Sequence, residues 1–307
     1  MAPHPRQSGK VHEVPMIPRF ALVRARTLDQ AFAAVDGGDA AFLAGGTELL
    51  QVMKMRLAQF GTLVDIKPID ELHGIEARSD GSLRIGAATT HREIERSALV
   101  ADAAPGLARL ASGVANVRVR NTGTIGGNLA FAEPHSDPAT FLLACGATVE
   151  LAGPGGRRRV PVDEFVLGPL TTAREANEIL TSIDIPAAAG GEGRTYAKLA
   201  FFERPAVSVA VRARLEAGEV RAATVAVGSI GETPAIVPEA GAALVGVPVG
   251  DGRDRRFEEA LDRARGAFGS VDAVDDLNGS ADYKRHLAGV LLDRAAREAV
   301  REAIANA

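Results

Sequence analysis

Two double-glycine turns constrain this chain more than any other feature: Ala44-Gly45-Gly46-Thr47-Glu48 and Thr124-Ile125-Gly126-Gly127-Asn128. Successive glycines let a backbone approach a ligand closely and turn its N–H groups inward, which suits phosphate oxygens. A single Gly-Gly pair reads most simply as an ordinary turn. Two of them, both carrying Thr and an amide or carboxylate partner, fit a ligand with a long pyrophosphate spine.

The familiar nucleotide loops are missing. The sequence has no G-x-x-x-x-G-K-[ST] loop and no G-x-G-x-x-G turn between a strand and a helix, so neither a Walker-type nor a Rossmann site is indicated. At 307 residues, the chain suggests about two or three domains. Its 35 Lys and Arg against 39 Asp and Glu leave a net charge of −4 and no broad surface for a polyanion. With no Trp and few aromatics, base-stacking platforms are also disfavoured, and nucleic acid is not an expected partner. No apolar run is long enough to span a bilayer. The lone cysteine, Cys145, excludes a disulfide framework within the chain and cannot hold an iron–sulfur cluster or a cysteine-rich zinc site. In Phe141-Leu142-Leu143-Ala144-Cys145 it reads as a buried structural thiol. The expected compartment is the cytoplasm, with a peripheral position at the inner face of the membrane as the variant. Residues 1–17 lack the apolar region of a secretory signal and read as a flexible or partner-clasping extension.

Hydrophobic periodicity sets out the elements. Phe20–Val23 reads as a strand, Thr27 as the cap of a helix, and Thr47 as the start of a second helix carrying Met53 and Met55 in the core. With the strand Leu63–Ile66, this predicts a small, partly parallel sheet over residues 18–67. Residues 68–188 hold the strand Leu83–Ala87, a capping box at Thr90-His91-Arg92-Glu93, a helix from Gly106 to Val114 and a hairpin around Gly153-Pro154-Gly155-Gly156. His91 is expected to be exposed on the first turn of its helix. Asp137 is expected at an N-cap, with Pro138 at the first helical position; the bland account of Asp137 is capping alone. The Ala/Gly-rich stretch 187–193 is the expected linker to a domain over residues 189–307, with strands and then two helices.

Taken in order, Ala44-Gly45-Gly46-Thr47-Glu48-Leu49, Thr124-Ile125-Gly126-Gly127-Asn128, Ser136-Asp137, Tyr196-Ala197-Lys198 and Asn278-Gly279-Ser280-Ala281-Asp282-Tyr283-Lys284 carry a resemblance. Over almost all of its length after Pro18 the chain resembles the FAD-binding medium subunit of the xanthine dehydrogenase and carbon monoxide dehydrogenase family of molybdenum hydroxylases. The resemblance implies an α+β protein: a two-part PCMH/VAO-type FAD-binding fold followed by a small C-terminal domain of antiparallel sheet and helices. It implies that Leu43, Ala44, Gly45, Gly46, Thr47, Glu48, Leu49 and Leu50, with Thr124, Ile125, Gly126, Gly127 and Asn128, hold the FAD pyrophosphate. Val114 and Leu180 would line the flavin or adenine cleft, and Asp137 and Lys198 would reach polar atoms of the cofactor. There are departures: relatives with an additional cluster in this subunit carry cysteines that are missing here. Many relatives also continue after Lys198 with Arg and Asp, where this chain has Phe201-Phe202-Glu203-Arg204-Pro205.

The function implied is electron relay. FAD in this chain would take electrons from [2Fe-2S] clusters of a small partner subunit and pass them to an external acceptor. A large molybdopterin subunit would hydroxylate the substrate, in a dimer of heterotrimers. No side chain here need act as acid, base or nucleophile, and the redox chemistry belongs to the cofactor. The alternative is a stand-alone flavin oxidoreductase of the same fold, for which His135 is the residue to check for a covalent flavin link. A non-catalytic assembly module is the third reading.

Overall fold

The computed structural model describes residues 17–36, 38–250 and 254–307; the N-terminal extension expected over residues 1–17 lies outside them except for Ile17. The first unit runs β1 (Ala21–Arg24), α1 (Leu28–Val35), β2 (Ala40–Leu43), α2 (Leu49–Lys54) and β3 (Thr62–Asp65). Its sheet has the order β1-β3-β2 and both pairings are parallel, so it is parallel throughout rather than in part. Strands joined through helices return in the same direction, as a crossover connection requires. Thr27 caps α1 by accepting the Gln30 N–H at 3.3 Å. The helix expected from Thr47 starts at Leu49, with Glu48 as its N-cap. Met53 is fully buried, whereas Met55, also expected in the core, is 54 % exposed: it is the C-cap of α2, beyond the apolar face of the helix.

The second unit opens with β4 (Ile75–Ala77) and β5 (Leu83–Gly86). Six short helices follow: α3 (His91–Arg96), α4 (Ala98–Ala103), α5 (Pro105–Ser112), α6 (Val117–Thr122), α7 (Ile125–Phe131) and α8 (Asp137–Cys145). Then come the hairpin β6 (Thr148–Gly153) and β7 (Gly156–Pro161), α9 (Val162–Phe165), the small pair β8 (Val166–Gly168) and β9 (Thr171–Thr172), and β10 (Ile179–Ile185). The sheet order β4-β5-β10-β6-β7 is antiparallel throughout. The capping box forms as read: Thr90 Oγ1 accepts from the Glu93 N–H at 3.2 Å, and Glu93 Oε2 accepts from the Thr90 N–H at 2.7 Å.

The exposure expected for His91 is wrong. It is 3 % exposed, because its N–H donates to Gly123 O and Thr90 bridges to Thr124, which draws the first turn of α3 under the second glycine turn. The helix expected from Gly106 begins one residue earlier, at Pro105.

Residues 186–191 lead without regular structure into β11 (Glu192–Ala200), β12 (Pro205–Glu216), β13 (Glu219–Gly228) and β14 (Ala235–Ile236), an antiparallel sheet in that order. Helices α10 (Pro238–Leu244), α11 (Arg255–Gly266) and α12 (Ala281–Ala305) complete the unit. α12 lays Leu291, Leu292, Ala295, Ala299 and Ala303 against β11 and β12. Every residue of α8 is buried, because one side packs on the second unit and the other on β12 and β13. A largely apolar helix is what such a position demands, and its buried polar groups are hydrogen-bonded, Asp137 to Tyr196 and Thr140 to Ser208. No helix among the described residues is long and apolar enough to cross a membrane.

Candidate functional site

Where the first unit meets the second, a cleft of about 320 Å³ opens, with Gly45, Thr47 and Glu48 on one side and Thr124, Gly127 and Asn128 on the other. Both glycine turns therefore face one space, and they reach it by different physics.

The first turn leaves β2 and folds back through Gly46, whose φ of +72° is the left-handed conformation that glycine takes without strain. The backbone N–H groups of Gly45, Gly46, Thr47, Glu48 and Leu49 donate to no acceptor among the described residues. Unpaired amides at the start of a helix suit an anion, and three of these five, on Gly45, Thr47 and Glu48, belong to residues that line the cleft. Gly45 approaches the other side so closely that a Cβ there would lie 2.5 Å from Thr122 O and 2.7 Å from Gly123 Cα.

The second turn is the first turn of α7, and its amides are already committed. Ile125 N–H donates to Thr89 O, Gly126 N–H to Ala87 O, Asn128 N–H to Thr124 O, and Gly127 N–H to the capping hydroxyl of Thr124 at 3.1 Å. A Cβ on Gly126 would sit 2.4 Å from Ala87 Cβ. The glycines of this turn let α7 press onto the end of β5, and the cleft receives the side chains of Thr124 and Asn128 rather than a second row of free amides.

Asp137 is not the N-cap expected: Ser136 takes that position and Asp137 is the first helical residue. The Ser136 hydroxyl donates to Asn128 Oδ1 at 2.6 Å, tying α8 to the second glycine turn. The Asp137 carboxylate is 4 % exposed; Tyr196 OH donates to its Oδ1 at 2.7 Å, and Lys198 Nζ stands 2.7 Å from the same oxygen. Lys198 also donates to Gly113 O at 2.8 Å. Burial raises the Asp137 carboxyl above the usual carboxylate range, while Lys198 and Tyr196 pull it back down. Burial, and then Asp137, drives the Tyr196 phenol well above its ordinary value.

The remaining wall is a chain of alternating charge. Arg204, between β11 and β12, pairs with Glu48 at 2.6 Å and Glu133 at 3.2 Å. Glu133 Oε1 lies 3.4 Å from His135 Nδ1, and His135 Nε2 lies 3.0 Å from Asp276 Oδ2. That oxygen is 2.6 Å from Nζ of Lys284, which is fully buried. His91, also on the cleft, is held neutral: burial, then the Arg120 charge, lowers its pKa to about 4.

Of the residues expected at the site, Gly45, Thr47, Glu48, Val114, Thr124, Gly127, Asn128 and Asp137 line the cleft. Lys198 stands behind Asp137. Leu43, Ile125, Gly126 and Leu180 are buried in the surrounding cores; Ala44, Gly46, Leu49 and Leu50 shape the first turn without lining the cleft. Sequence reasoning gave no place at the site to His91, Glu133, Ser136, Glu203 or Arg204, which line it. The signal for Glu133 and Ser136 was their place beside Asp137. Arg204 gave none, since its contacts cross 156 residues to Glu48. His135, the residue to check for a covalent link, has a carboxylate oxygen at each ring nitrogen.

A parallel β-α-β unit and an antiparallel, helix-covered unit meeting at a cleft with unpaired amides define a two-part nucleotide-binding protein with an appended α+β domain. Residues 18–188 match the FAD binding domain in molybdopterin dehydrogenase, and residues 203–299 match the CO dehydrogenase flavoprotein C-terminal domain. The carbon monoxide dehydrogenase medium chain of Hydrogenophaga pseudoflava is 36 % identical over 283 residues, spanning 91 % of this chain and 96 % of the relative. The xanthine dehydrogenase FAD-binding subunit of Escherichia coli O157:H7 is 33 % identical over 216 residues, spanning 69 % of this chain and 74 % of the relative. Among solved structures, carbon monoxide dehydrogenase from Hydrogenophaga pseudoflava lacking the Mo-pyranopterin moiety of its molybdenum cofactor superposes with a TM-score of 0.86 at 36 % identity, covering 92 % of this chain and 98 % of that one.

The chain belongs to the FAD-binding medium-subunit family of the molybdenum hydroxylases. It is a flavoprotein subunit of an oxidoreductase, as the motif order implies.

Proposed function

We propose that this chain holds FAD across the cleft between residues 18–67 and 68–188 and relays electrons from the [2Fe-2S] clusters of a small partner subunit to an external acceptor. The domain from residue 189 onward closes the cleft through Arg204 and the segment around Asp276. The observation that carries the reading is the row of unpaired amides from Gly45 to Leu49 on the cleft's edge. Those amides are the cradle for the pyrophosphate, with the Thr47 and Thr124 hydroxyls and the Asn128 amide beside it. The buried Asp137, fixed by Tyr196 and Lys198, supplies a preorganised acceptor for a polar edge of the nucleotide or ring. Bound FAD supplies one- and two-electron redox chemistry; the side chains bind, orient and set the local field.

A large molybdopterin subunit completes the assembly, a dimer of heterotrimers in the cytoplasm or at the inner face of its membrane. The test is purification of the chain alone and with its neighbours. Alone, it is expected to release FAD into the supernatant on acid precipitation and to hydroxylate nothing. With the iron–sulfur and molybdenum subunits, its flavin should bleach on addition of substrate. Flavin reduction by that substrate at full turnover in the isolated chain would refute the relay and favour the stand-alone oxidoreductase.

A further inference from the structure

The cleft wall contains a histidine whose two ring nitrogens both face carboxylates. His135 Nδ1 is 3.4 Å from Glu133 Oε1, and Nε2 is 3.0 Å from Asp276 Oδ2. An ionised carboxylate only accepts hydrogen bonds, and a neutral imidazole carries one N–H. Both contacts are hydrogen bonds only if both nitrogens are protonated. Asp276 is itself built in place: its Oδ1 accepts the Asn278 N–H at 2.8 Å, and its Oδ2 receives the ammonium of the fully buried Lys284. Glu133 is held from the other side by Arg204, which continues to Glu48 beside the unpaired amides. Glu48, Arg204, Glu133, His135, Asp276 and Lys284 thus form one chain that is electrically balanced only when the imidazole is charged.

We propose that His135 is held as an imidazolium on the cleft wall, positioned by Asp276 of the C-terminal domain, and that its charge sets the affinity of the cleft for an anionic flavin nucleotide. The inference rests on the cofactor reading above. The ring is half-buried, and its charged neighbours come from every element around it. Glu133 precedes it, Asp137 paired with Lys198 follows it on α8, Glu203 and Arg204 face it from the β11–β12 turn, and Asp276 with Lys284 closes the far side. Glu232 lies on the adjoining pocket with Glu133. With Glu133 shared with Arg204 and Asp276 with Lys284, loss of the imidazolium leaves this chain one negative charge in excess, facing a bound pyrophosphate. The Glu133 hydrogen bond is the largest influence raising the pKa of the ring above its ordinary value, and the Asp276 contact adds to it against burial. His91, the other cleft histidine, is neutral near neutral pH and drops out of the titration.

Linkage gives the sign. A nucleotide that binds the charged form better must raise the pKa of His135, and each unit of that rise is about a tenfold gain in affinity. The full apo-chain is titrated with FAD by fluorescence quenching from about pH 6 to about pH 9. The wild type is expected to lose about fivefold to tenfold in affinity as pH climbs past the imidazolium's pKa. His135→Gln should be flat over the same range, at the weaker level. Asp276→Asn should keep the inflection but move it to lower pH, a displacement that simple loss of packing would not produce. Ring-nitrogen chemical shifts of the unmodified chain are a second measure: they should report an imidazolium at about pH 7 whose titration moves upward when FAD is added. A pH profile that His135→Gln leaves unchanged, or a neutral ring at that pH, overturns the inference while the cofactor reading stands. A folded chain that takes up no FAD at any pH overturns both.

Discussion

Gly45 is where the two sides of the cleft touch, and Gly45→Ala separates its packing role from folding. The added Cβ would lie 2.5 Å from Thr122 O and 2.7 Å from Gly123 Cα, where 3.4–4 Å is ordinary contact. Both neighbours are backbone, so no side chain can swing aside; the first turn must move away by about 1 Å. Overpacking of this kind costs roughly 1–3 kcal/mol. The strain falls on the approach of the two sides rather than inside either core, so it should appear as a weakening of FAD binding by about 5-fold to 150-fold. Two further variants bracket the result. Gly126→Ala places a Cβ 2.4 Å from Ala87 Cβ in the interior and should lower the melting temperature of the apo-protein. Gly155→Ala meets nothing within 4 Å and should change neither quantity. The assay is the flavin-to-protein absorbance ratio after purification, an FAD titration of the apo-form and its thermal melt. Gly45→Ala protein with full FAD and an unchanged Kd would refute the close-approach argument. So would an apo-form melting as early as that of Gly126→Ala.

Three other outcomes follow from single contacts. Tyr196→Phe removes one of the two donors on the Asp137 carboxylate and should cost about 0.5–1.5 kcal/mol in urea denaturation; an unshifted midpoint would show the phenol to be idle. His91 has its pKa lowered from 6.5 to about 4 in the folded chain, first by burial and then by Arg120. The unfolded state therefore takes up the proton first, and folded stability declines as pH falls from 6.5 to about 4, by up to ~1.4 kcal/mol per pH unit. His91→Gln should flatten that acid limb, and equal denaturation midpoints against pH in both proteins would contradict the assignment. Burial pushes the Cys145 thiol up to about 12, so iodoacetamide should label it only after unfolding; rapid labelling of the native chain would show that α8 opens.

The features legible in the amino-acid sequence are local ones. Thr27 and Thr90 cap the helices their spacing marks, because a cap is decided within one turn of chain. The order of the glycine turns, Ser136-Asp137 and Tyr196-Ala197-Lys198 carried the family, and with it the flavin cofactor. Folding settled which turn has amides to offer. The first keeps them unpaired because no acceptor among the described residues stands opposite Gly45 to Leu49, whereas the second gives them to Ala87 and Thr89 in the loop after β5 and to its own Thr124. It also decided that Asp137 is a buried acceptor and not a cap, since its partners lie 59 and 61 residues away at Tyr196 and Lys198 on β11. The chain of charge from Glu48 to Lys284 was illegible for the same reason. Each of its residues reads alone as a solvated charge, and its meaning is fixed by partners that only the packing of three units brings within hydrogen-bonding distance.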